Sequence, residues 1–138
     1  KVQILAVLTM DGCLSSELYD KAHQDLCLDR CGLDEIRKKA FYRVTPDYSI
    51  SMLHEWRKDC TNIRYLAEAT PDTADYINGL LRMHAVDEII LYTVPFISGS
   101  GRHFFKSALP EQHWTLSSLK SYPNGVCRII YILDKKAR

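Results

Sequence analysis

The sequence has no long apolar run and almost no excess of charge of either sign. Its 18 Lys and Arg residues are matched by 17 Asp and Glu, which leaves a formal net charge of +1 over 138 residues. A charge so near zero gives no electrostatic attraction for nucleic acid or for an anionic membrane surface. No apolar segment approaches the roughly 20 residues of a membrane-spanning helix, and the chain opens on a strand-like segment rather than a signal peptide. We therefore expect one cytoplasmic domain, residues 1–138, that binds neither nucleic acid nor membrane.

Short motifs of several enzyme classes are also missing. The sequence contains no Walker-type or Rossmann glycine pattern, since a lone Gly-Ser-Gly is a weak signal. Its five His residues show no spacing typical of a Ser-His-Asp or Cys-His set, although such sets can assemble in space. There are no internal repeats and no low-complexity tracts. Nothing in these patterns identifies a nucleophile.

The cysteines are few, odd in number and scattered, which favours reduced thiols over a disulfide framework. They are Cys13, Cys27, Cys31, Cys60 and Cys127. With His23, two of them follow an i, i+4, i+8 spacing that would line one stripe of a helix. Zinc usually takes four ligands, and no fourth is apparent, so we interpret the stripe as a partly buried helix face and expect no metal.

Two apolar segments predict the centre of a parallel sheet. Residues 2–9 (VQILAVLT) are almost continuously apolar, and residues 88–94 (EIILYTV) show no clean alternation, as in strands covered on both faces. Pro95 should end regular pairing after the second strand. Because ligands of open α/β sheets bind at the carboxyl ends of strands, Asp11 and Gly12 are either ligand contacts or a plain Asp-Gly turn.

The remaining segments predict alternating helices and short strands. We expect helices at residues 20–31 and 33–42 with Gly32 between them, at 50–58, and at 71–84 with Thr70 as the cap, and a strand at 63–67. Residues 113–121 and 126–133 predict a hairpin around Asn124-Gly125. Its second strand is too apolar for an edge facing water, so we expect it inside the sheet or at a subunit contact. Phe104 and Phe105 should both be buried.

Residues 86–105 (VDEIILYTVPFISGSGRHFF) carry a resemblance to a known family. An acidic pair, an apolar strand, a Pro, a Gly-x-Gly and a closing aromatic pair resemble the segment "VDE…P…GxG…LF" of the dihydrofolate-reductase-like domain. The closest resemblance is to the reductase (C-terminal) domain of bifunctional riboflavin-biosynthesis proteins. Residues 5–14 (LAVLTMDGCL) are similar to the first strand of that family and its following "DG" loop.

The resemblance implies a fold, an activity and an assembly. It implies an α/β three-layer domain, with a mixed, mostly parallel sheet flanked by helices and a C-terminal antiparallel hairpin. It further implies an NADPH-dependent oxidoreductase that reduces a pterin or aminopyrimidine-type small molecule and pairs as a homodimer. Thr9, Asp11 and Gly12 would bind substrate, with Asp11 as the candidate catalytic residue. The positions implied in cofactor binding are Arg43, Thr45, Glu68, Ala69, Thr70, Gly99, Ser100 and Gly101.

The sequence departs from the family at two places that concern the same cofactor. The family's Gly-Arg-x-Thr phosphate loop corresponds here to Arg43 and Thr45 without the Gly, and Pro46 follows. The family's Gly-Gly, which lies against the pyrophosphate, is replaced by Glu68 and Ala69, which add a negative charge and a Cβ. The alternative is therefore a non-catalytic relative with a degenerate dinucleotide site, acting as a small-ligand or protein-binding module.

Overall fold

A computed structural model describes residues 1–15, 24–59, 62–99 and 101–134. Its strands are β1 (Val2–Leu8), β2 (Tyr42–Arg43), β3 (Tyr65–Glu68), β4 (Glu88–Thr93), β5 (Trp114–Ser121) and β6 (Cys127–Leu133). Its helices are a 3-10 helix (Leu28–Cys31), α1 (Leu33–Lys39), α2 (Ile50–Asp59) and α3 (Ala74–Arg82). In the part of the chain so described, no helix combines the length and apolar character that crossing a bilayer requires.

The six strands form one mixed sheet in the order β2-β3-β1-β4-β6-β5. The central strand β1 runs parallel to β3 and β4, with Val2 opposite Tyr65 and Gln3 opposite Glu88. The C-terminal hairpin adds β6 and β5 antiparallel to this parallel core. The expected α/β fold with a mixed sheet and C-terminal hairpin is confirmed, and β6 lies in the sheet interior.

Alternating side chains of β1 enter two separate cores, so the sheet is the middle of three layers. Ile4, Ala6 and Leu8 pack with residues of α2 and α3 on one face. Leu5 packs with Leu28 of the 3-10 helix and Leu33 of α1 on the other face. This double burial explains why residues 2–9 have no polar alternation.

The acidic pair before β4 anchors the start of β1. Asp87 accepts a hydrogen bond from the backbone N–H of Val2 at 2.9 Å. Glu88 accepts one from the side-chain amide of Gln3 at 2.7 Å and pairs with the Lys1 ammonium at 3.1 Å. The acidic pair in the "VDE" motif therefore aligns two neighbouring strands at their amino ends.

The prediction of one helix over residues 20–31 is wrong from Cys27 onward. Residues 16–23, including His23, lie outside the described ranges. Cys27 has a left-handed backbone conformation (φ 50°), and only the short 3-10 helix follows it. A helix cannot continue through a left-handed residue, so Cys27 and Cys31 do not share a helical stripe. The four described cysteines, Cys13, Cys27, Cys31 and Cys127, are free thiols, and Cys60 lies outside the described residues.

Two tyrosines, the buried Tyr92 and the partly buried Tyr122, explain the break at Gly32. The phenols of Tyr92 and Tyr122 both donate to the carbonyl oxygen of Cys31 at 2.8 Å, which holds the end of the 3-10 helix against the sheet. Gly32 then takes φ 81°, and a Cβ there would lie 3.1 Å from a guanidinium nitrogen of Arg128. Burial raises the pKa of Tyr92 to about 12, against the opposing effect of Arg128.

The prediction that Phe104 and Phe105 are both buried is confirmed for Phe104 and wrong for Phe105. Phe104 is fully buried, whereas Phe105 remains 43% exposed beside the sheet. The buried amide of Asn78 on α3 donates to the carbonyl oxygen of Phe104 at 2.8 Å and accepts from the N–H of Lys106 at 3.0 Å. The chain is thus fixed to α3 on both sides of Phe105, while the Phe105 ring lies outside the core.

Candidate functional site

The loops that follow β1, β3 and β4 lie at the carboxyl ends of these parallel strands, the edge where open α/β sheets bind ligands. We call residues 9–13, 69–73 and 94–101 the carboxyl edge. Backbone bonds join the first and last of these loops, from Met10 N–H to the Phe96 carbonyl (2.9 Å) and from Val94 N–H to the Leu8 carbonyl (2.9 Å). The two loops therefore form one continuous wall.

Asp11 fixes that wall through hydrogen bonds to its carboxylate. It accepts from the Thr9 hydroxyl, from the Ser98 N–H at 3.1 Å and from the Gly99 N–H at 3.0 Å. These bonds, with that of Thr9 the strongest, hold the pKa of Asp11 well below its usual range. An ionised carboxylate cannot donate a proton, so this conformation suits Asp11 to holding the loops. Its catalytic role stays a prediction, and the geometry counts against proton donation.

Thr9 and Gly12 shape the turn itself. Thr9 is buried, and its hydroxyl accepts from the Cys13 N–H at 3.1 Å. Gly12 closes the turn by donating to the Thr9 carbonyl at 3.0 Å, with a φ of 81° that favours glycine. The structure thus brings Thr9, Asp11 and Gly12 together as expected, while any contact of theirs with a substrate stays a prediction.

The two described glycines of the loop after β4, Gly99 and Gly101, have different surroundings. A Cβ on Gly99 would meet no atom within 4 Å, so open space lies beside the amide that Asp11 binds. A Cβ on Gly101 would lie 2.5 Å from the Ser98 hydroxyl and 3.0 Å from the Cys13 Cβ, so only glycine allows the two loops to approach this closely. Ser100 lies outside the described residues.

Glu68, at the end of β3, binds two guanidinium groups. Arg37 of α1 forms two hydrogen bonds to its carboxylate, one from Nε at 3.3 Å and a shorter one from Nη2. Arg43 of β2 donates to the same carboxylate at 3.1 Å, and Asp29 lies 3.9 Å from Arg37. We call Asp29, Arg37, Arg43 and Glu68 the Glu68 cluster; its formal charges cancel. Arg43 therefore already has an anionic partner.

Backbone N–H groups of the turn between β3 and α3 already donate hydrogen bonds within the protein. Ala69 N–H continues the sheet by donating to the Leu5 carbonyl at 2.8 Å. Thr70 N–H donates to the Thr73 hydroxyl at 2.8 Å, and Thr73 N–H donates to the Thr70 hydroxyl at 3.2 Å. The expected helix start is wrong: α3 begins at Ala74 with Thr73 at its N-cap position, and the Thr70 hydroxyl accepts its bond within the preceding turn. The amides of Thr70 and Thr73 therefore already have acceptors. Thr45 makes only a local contact, accepting from the Asp47 N–H at 3.4 Å.

The predicted site residues fall into two separate groups. One is the wall of the Thr9 and Gly99 loops, and the other is the Glu68 cluster with its adjoining turn. Glu68 pairs with Leu5, three residues before the end of β1, which is about 10 Å along the strand. Sequence analysis missed Arg37 because its basic side chain looks like any solvated residue in the last turn of a helix. No group of His, Cys, Asp and Glu suited to a metal occurs among the described residues.

Comparison with known proteins identifies the fold. No family model matches the sequence, and no curated protein matches it. A candidate riboflavin biosynthesis protein from Shewanella sp. PV-4 superposes with a TM-score of 0.59 at 10% identity, over 97% of this chain and 99% of that one. RibD of Acinetobacter baumannii gives a TM-score of 0.58 at 10% identity, over 97% of this chain but only 58% of RibD. At such low identity the likeness concerns the fold, which is the dihydrofolate-reductase-like fold that the resemblance predicts.

Proposed function

We propose that this protein is a small-ligand-binding domain with a dihydrofolate-reductase-like fold, in which Glu68 closes the dinucleotide side of the carboxyl edge. The main support for this proposal is that the Glu68 carboxylate accepts hydrogen bonds from both Arg37 and Arg43. By the resemblance, Arg43 and Glu68 belong to the part of the site that would hold the cofactor phosphates, and Arg37 binds the same carboxylate. The carboxylate takes the position of an anionic ligand there.

NADPH does not fit this arrangement. Its diphosphate would have to displace Glu68 from both arginines, and the displaced carboxylate would remain nearby as a like charge. Half-exposed ion pairs of this kind contribute only up to about 1 kcal/mol each, so the repulsion matters more than the broken bonds. The amides of Thr70 and Thr73 offer little compensation because each already donates to a hydroxyl oxygen.

The other half of the carboxyl edge is suited to a small ligand. Asp11 holds the two loops in one conformation, so little ordering is left to be done on binding, and the space over Gly99 is open. By the resemblance, the ligand class is a pterin or an aminopyrimidine, a planar ring with several hydrogen-bonding edges. Backbone groups of residues 9–13, 97–99 and 101 would bind those edges.

The second candidate is an NADPH-dependent reductase of such a ring. It is favoured by the fold shared with riboflavin-biosynthesis proteins and by the retained Gly99 and Gly101. Arg43 is half-exposed, so this function needs Glu68 to move away and leave Arg43 to the cofactor. NADPH would then supply the hydride.

Titration of the purified protein with NADPH distinguishes the two functions. We expect neither a change in cofactor fluorescence nor a rise in melting temperature up to millimolar NADPH, whereas a pterin or aminopyrimidine should raise the melting temperature. Micromolar NADPH binding would overturn the closed site and favour the reductase. It would be easy to detect, because a ligand at a hundred times its Kd stabilises by roughly 2.7 kcal/mol.

We also propose that the protein pairs as a homodimer through an uncovered apolar face of β4, β6 and β5. Leu119 of β5 is 64% exposed, and Leu116 of the same strand is also exposed. Beside them Ile89, Leu91, Phe105, Trp114 and Tyr131 line an open groove of about 280 Å³. A second copy would cover this face, and the resemblance implies that domains of this family pair as dimers. The cytoplasmic location remains a prediction.

A further inference from the structure

Four aromatic side chains form a second concave site at the opposite end of the sheet. Tyr42, Tyr48, Trp56 and Tyr65 line a cavity of about 280 Å³, which we call the aromatic cage. Tyr42 and Tyr65 are the first residues of β2 and β3, and Tyr65 lies opposite Val2 at the start of β1. The cage is therefore at the amino ends of the strands, away from the carboxyl edge.

The cage and the Glu68 cluster also lie on different faces of the sheet. Side chains alternate along a strand, and Tyr65 and Ala67 belong to the core formed with α2 and α3. Leu66 belongs to the opposite core, which places Glu68, two residues later, on that opposite face. The cage is thus spatially separate from the Glu68 cluster.

The rings meet at two kinds of angle. Tyr65 is nearly parallel to Tyr42 (centroids 5.4 Å apart, 15°) and to Trp56 (6.0 Å, 25°). Tyr48 stands almost perpendicular to Trp56 (6.3 Å, 88°). Tyr65 is thus stacked on two neighbours, and the parts of the four rings that these contacts leave uncovered border the cavity. A single flat ring could stack on only one of these orientations.

The cage is open to solvent on one side. Tyr65 is buried and forms the floor, while Tyr42 is 50% and Trp56 is 37% exposed. Rings that served only as core would be covered, because each could bury 150–250 Å². The half-exposed walls therefore leave apolar, electron-rich surface available to a ligand.

The backbone that carries these rings is well fixed. The phenol of Tyr76 on α3 donates to the Tyr48 carbonyl at 2.8 Å, and Tyr48 N–H donates to the Thr45 carbonyl at 3.0 Å. Tyr42 and Tyr65 are paired in neighbouring strands. The positions of the rings are thus set before a ligand arrives, which lowers the ordering cost of binding.

We propose that the aromatic cage binds an organic cation with a quaternary or methylated ammonium group. The negative faces of Trp and Tyr rings attract cations, and converging aromatic rings are the usual receptor for alkylated ammonium groups, which have fewer N–H donors than a primary ammonium, and none when quaternary, to remove from water. None of the four lining residues is charged, so the attraction comes from the rings.

The test compares choline with its neutral isostere 3,3-dimethyl-1-butanol, which has the same shape without the charge. Trp56 fluorescence is followed in a Trp114→Phe background, so that Trp56 is the sole indole. We expect saturable quenching by choline and at least tenfold weaker binding of the isostere. Equal binding of the two, or no saturable response to choline, would overturn the proposal.

Variants locate the binding. In the full chain, with choline binding followed by calorimetry, Tyr42→Leu and Trp56→Leu should each weaken affinity at least tenfold. Phe41→Leu, a change of an equally exposed neighbour that does not line the cavity, should leave it unchanged. Unaltered affinity in Tyr42→Leu, in a variant whose melting shows it to be folded, would also overturn the proposal. So would saturable binding of adenine, a flat neutral ring, in place of choline.

Discussion

The carboxylate of Asp11 accepts a hydrogen bond from the backbone N–H of Gly99 at 3.0 Å, across 88 positions of sequence. The contact joins the two segments that carry the family resemblance. It means that one side chain, together with the backbone bonds between the two segments, holds the loop after β1 against the loop after β4. A residue expected to do chemistry serves, in this structure, to hold the walls of the candidate site.

The first prediction concerns the pH dependence of this contact. The folded-state pKa of Asp11 is lowered, so its carboxylate contributes stability above the unfolded value of about 3.9, and that contribution is lost as pH falls below it. We expect Asp11→Asn to lower the melting temperature at pH 7 and the difference from wild type to shrink at pH 3. The control is Asp25→Asn, at an exposed carboxylate. A deficit that does not change with pH would contradict the assignment.

The second prediction concerns Glu68. Replacing it by Gln removes the negative charge that Arg37 and Arg43 share, so we expect NADPH or pyrophosphate to bind at least tenfold more tightly than to wild type, about 1.4 kcal/mol. Adding Arg43→Gln should abolish the gain. Glu35→Gln, at an exposed carboxylate on α1, serves as the charge-matched control. An unchanged affinity in Glu68→Gln, measured by calorimetry, would show that the cluster does not close the site.

Asn78 supports the third prediction. Its fully buried amide bonds Ala74, Phe104 and Lys106. Asn78→Leu would leave the Phe104 carbonyl and the Lys106 N–H without partners, which should lower the free energy of unfolding by about 3 kcal/mol. Urea denaturation measures this loss, with exposed Asn62→Ala as the control. A loss below about 1 kcal/mol would mean that water or a neighbour replaces the amide.

Gly32 and Gly99 provide a matched pair for the fourth prediction. Both have positive φ, so alanine costs about 1 kcal/mol at either position. Only at Gly32 would the new Cβ also meet Arg128, at 3.1 Å, whereas the space at Gly99 is open. We therefore expect Gly32→Ala to be clearly more destabilising than Gly99→Ala in urea denaturation. Equal losses would show that Arg128 moves aside freely.

The fifth prediction tests the homodimer. Leu119→Lys places a charge on the uncovered face of β5, and burying that charge at an interface is costly, so we expect a dimer in wild type and a monomer in the variant. Met83→Lys, which changes a comparably exposed apolar residue at the end of α3, should remain a dimer. Sedimentation velocity distinguishes these states. A monomeric wild type at high micromolar concentration would refute the interface.

The sequence pattern predicted the fold correctly for strands whose two faces are both buried. The continuous apolar segments at β1 and β4 and the Asn124-Gly125 hairpin each determine a strand or a turn from nearby residues, and the structure has them within a residue or so of the expected ends. The break at Cys27 and the exposure of Phe105 did not follow, because distant groups cause them. Tyr92 and Tyr122 hold Cys31, and Asn78 holds the chain beside Phe105.

The candidate site was harder to predict from the sequence, again because its contacts join residues that are distant along the chain. Asp11 and Glu68 were identified as positions of interest, but their partners lie far along the chain. Glu68 is bound by Arg37, 31 positions away, and nothing in the local pattern of α1 distinguishes Arg37 from a solvated base. Likewise, the four rings of the aromatic cage are contributed by β2, the turn before α2, α2 itself and β3. No single periodicity relates them.

The position of β1 at the centre of the sheet has a consequence for folding. Its partners begin at Tyr65 and Glu88, so both of its edges pair with segments that lie far along the chain. Pairings so distant in sequence slow folding. Until they form, β1 is an apolar strand with two open edges, which can pair with another chain instead. We therefore expect aggregation during refolding to begin at β1.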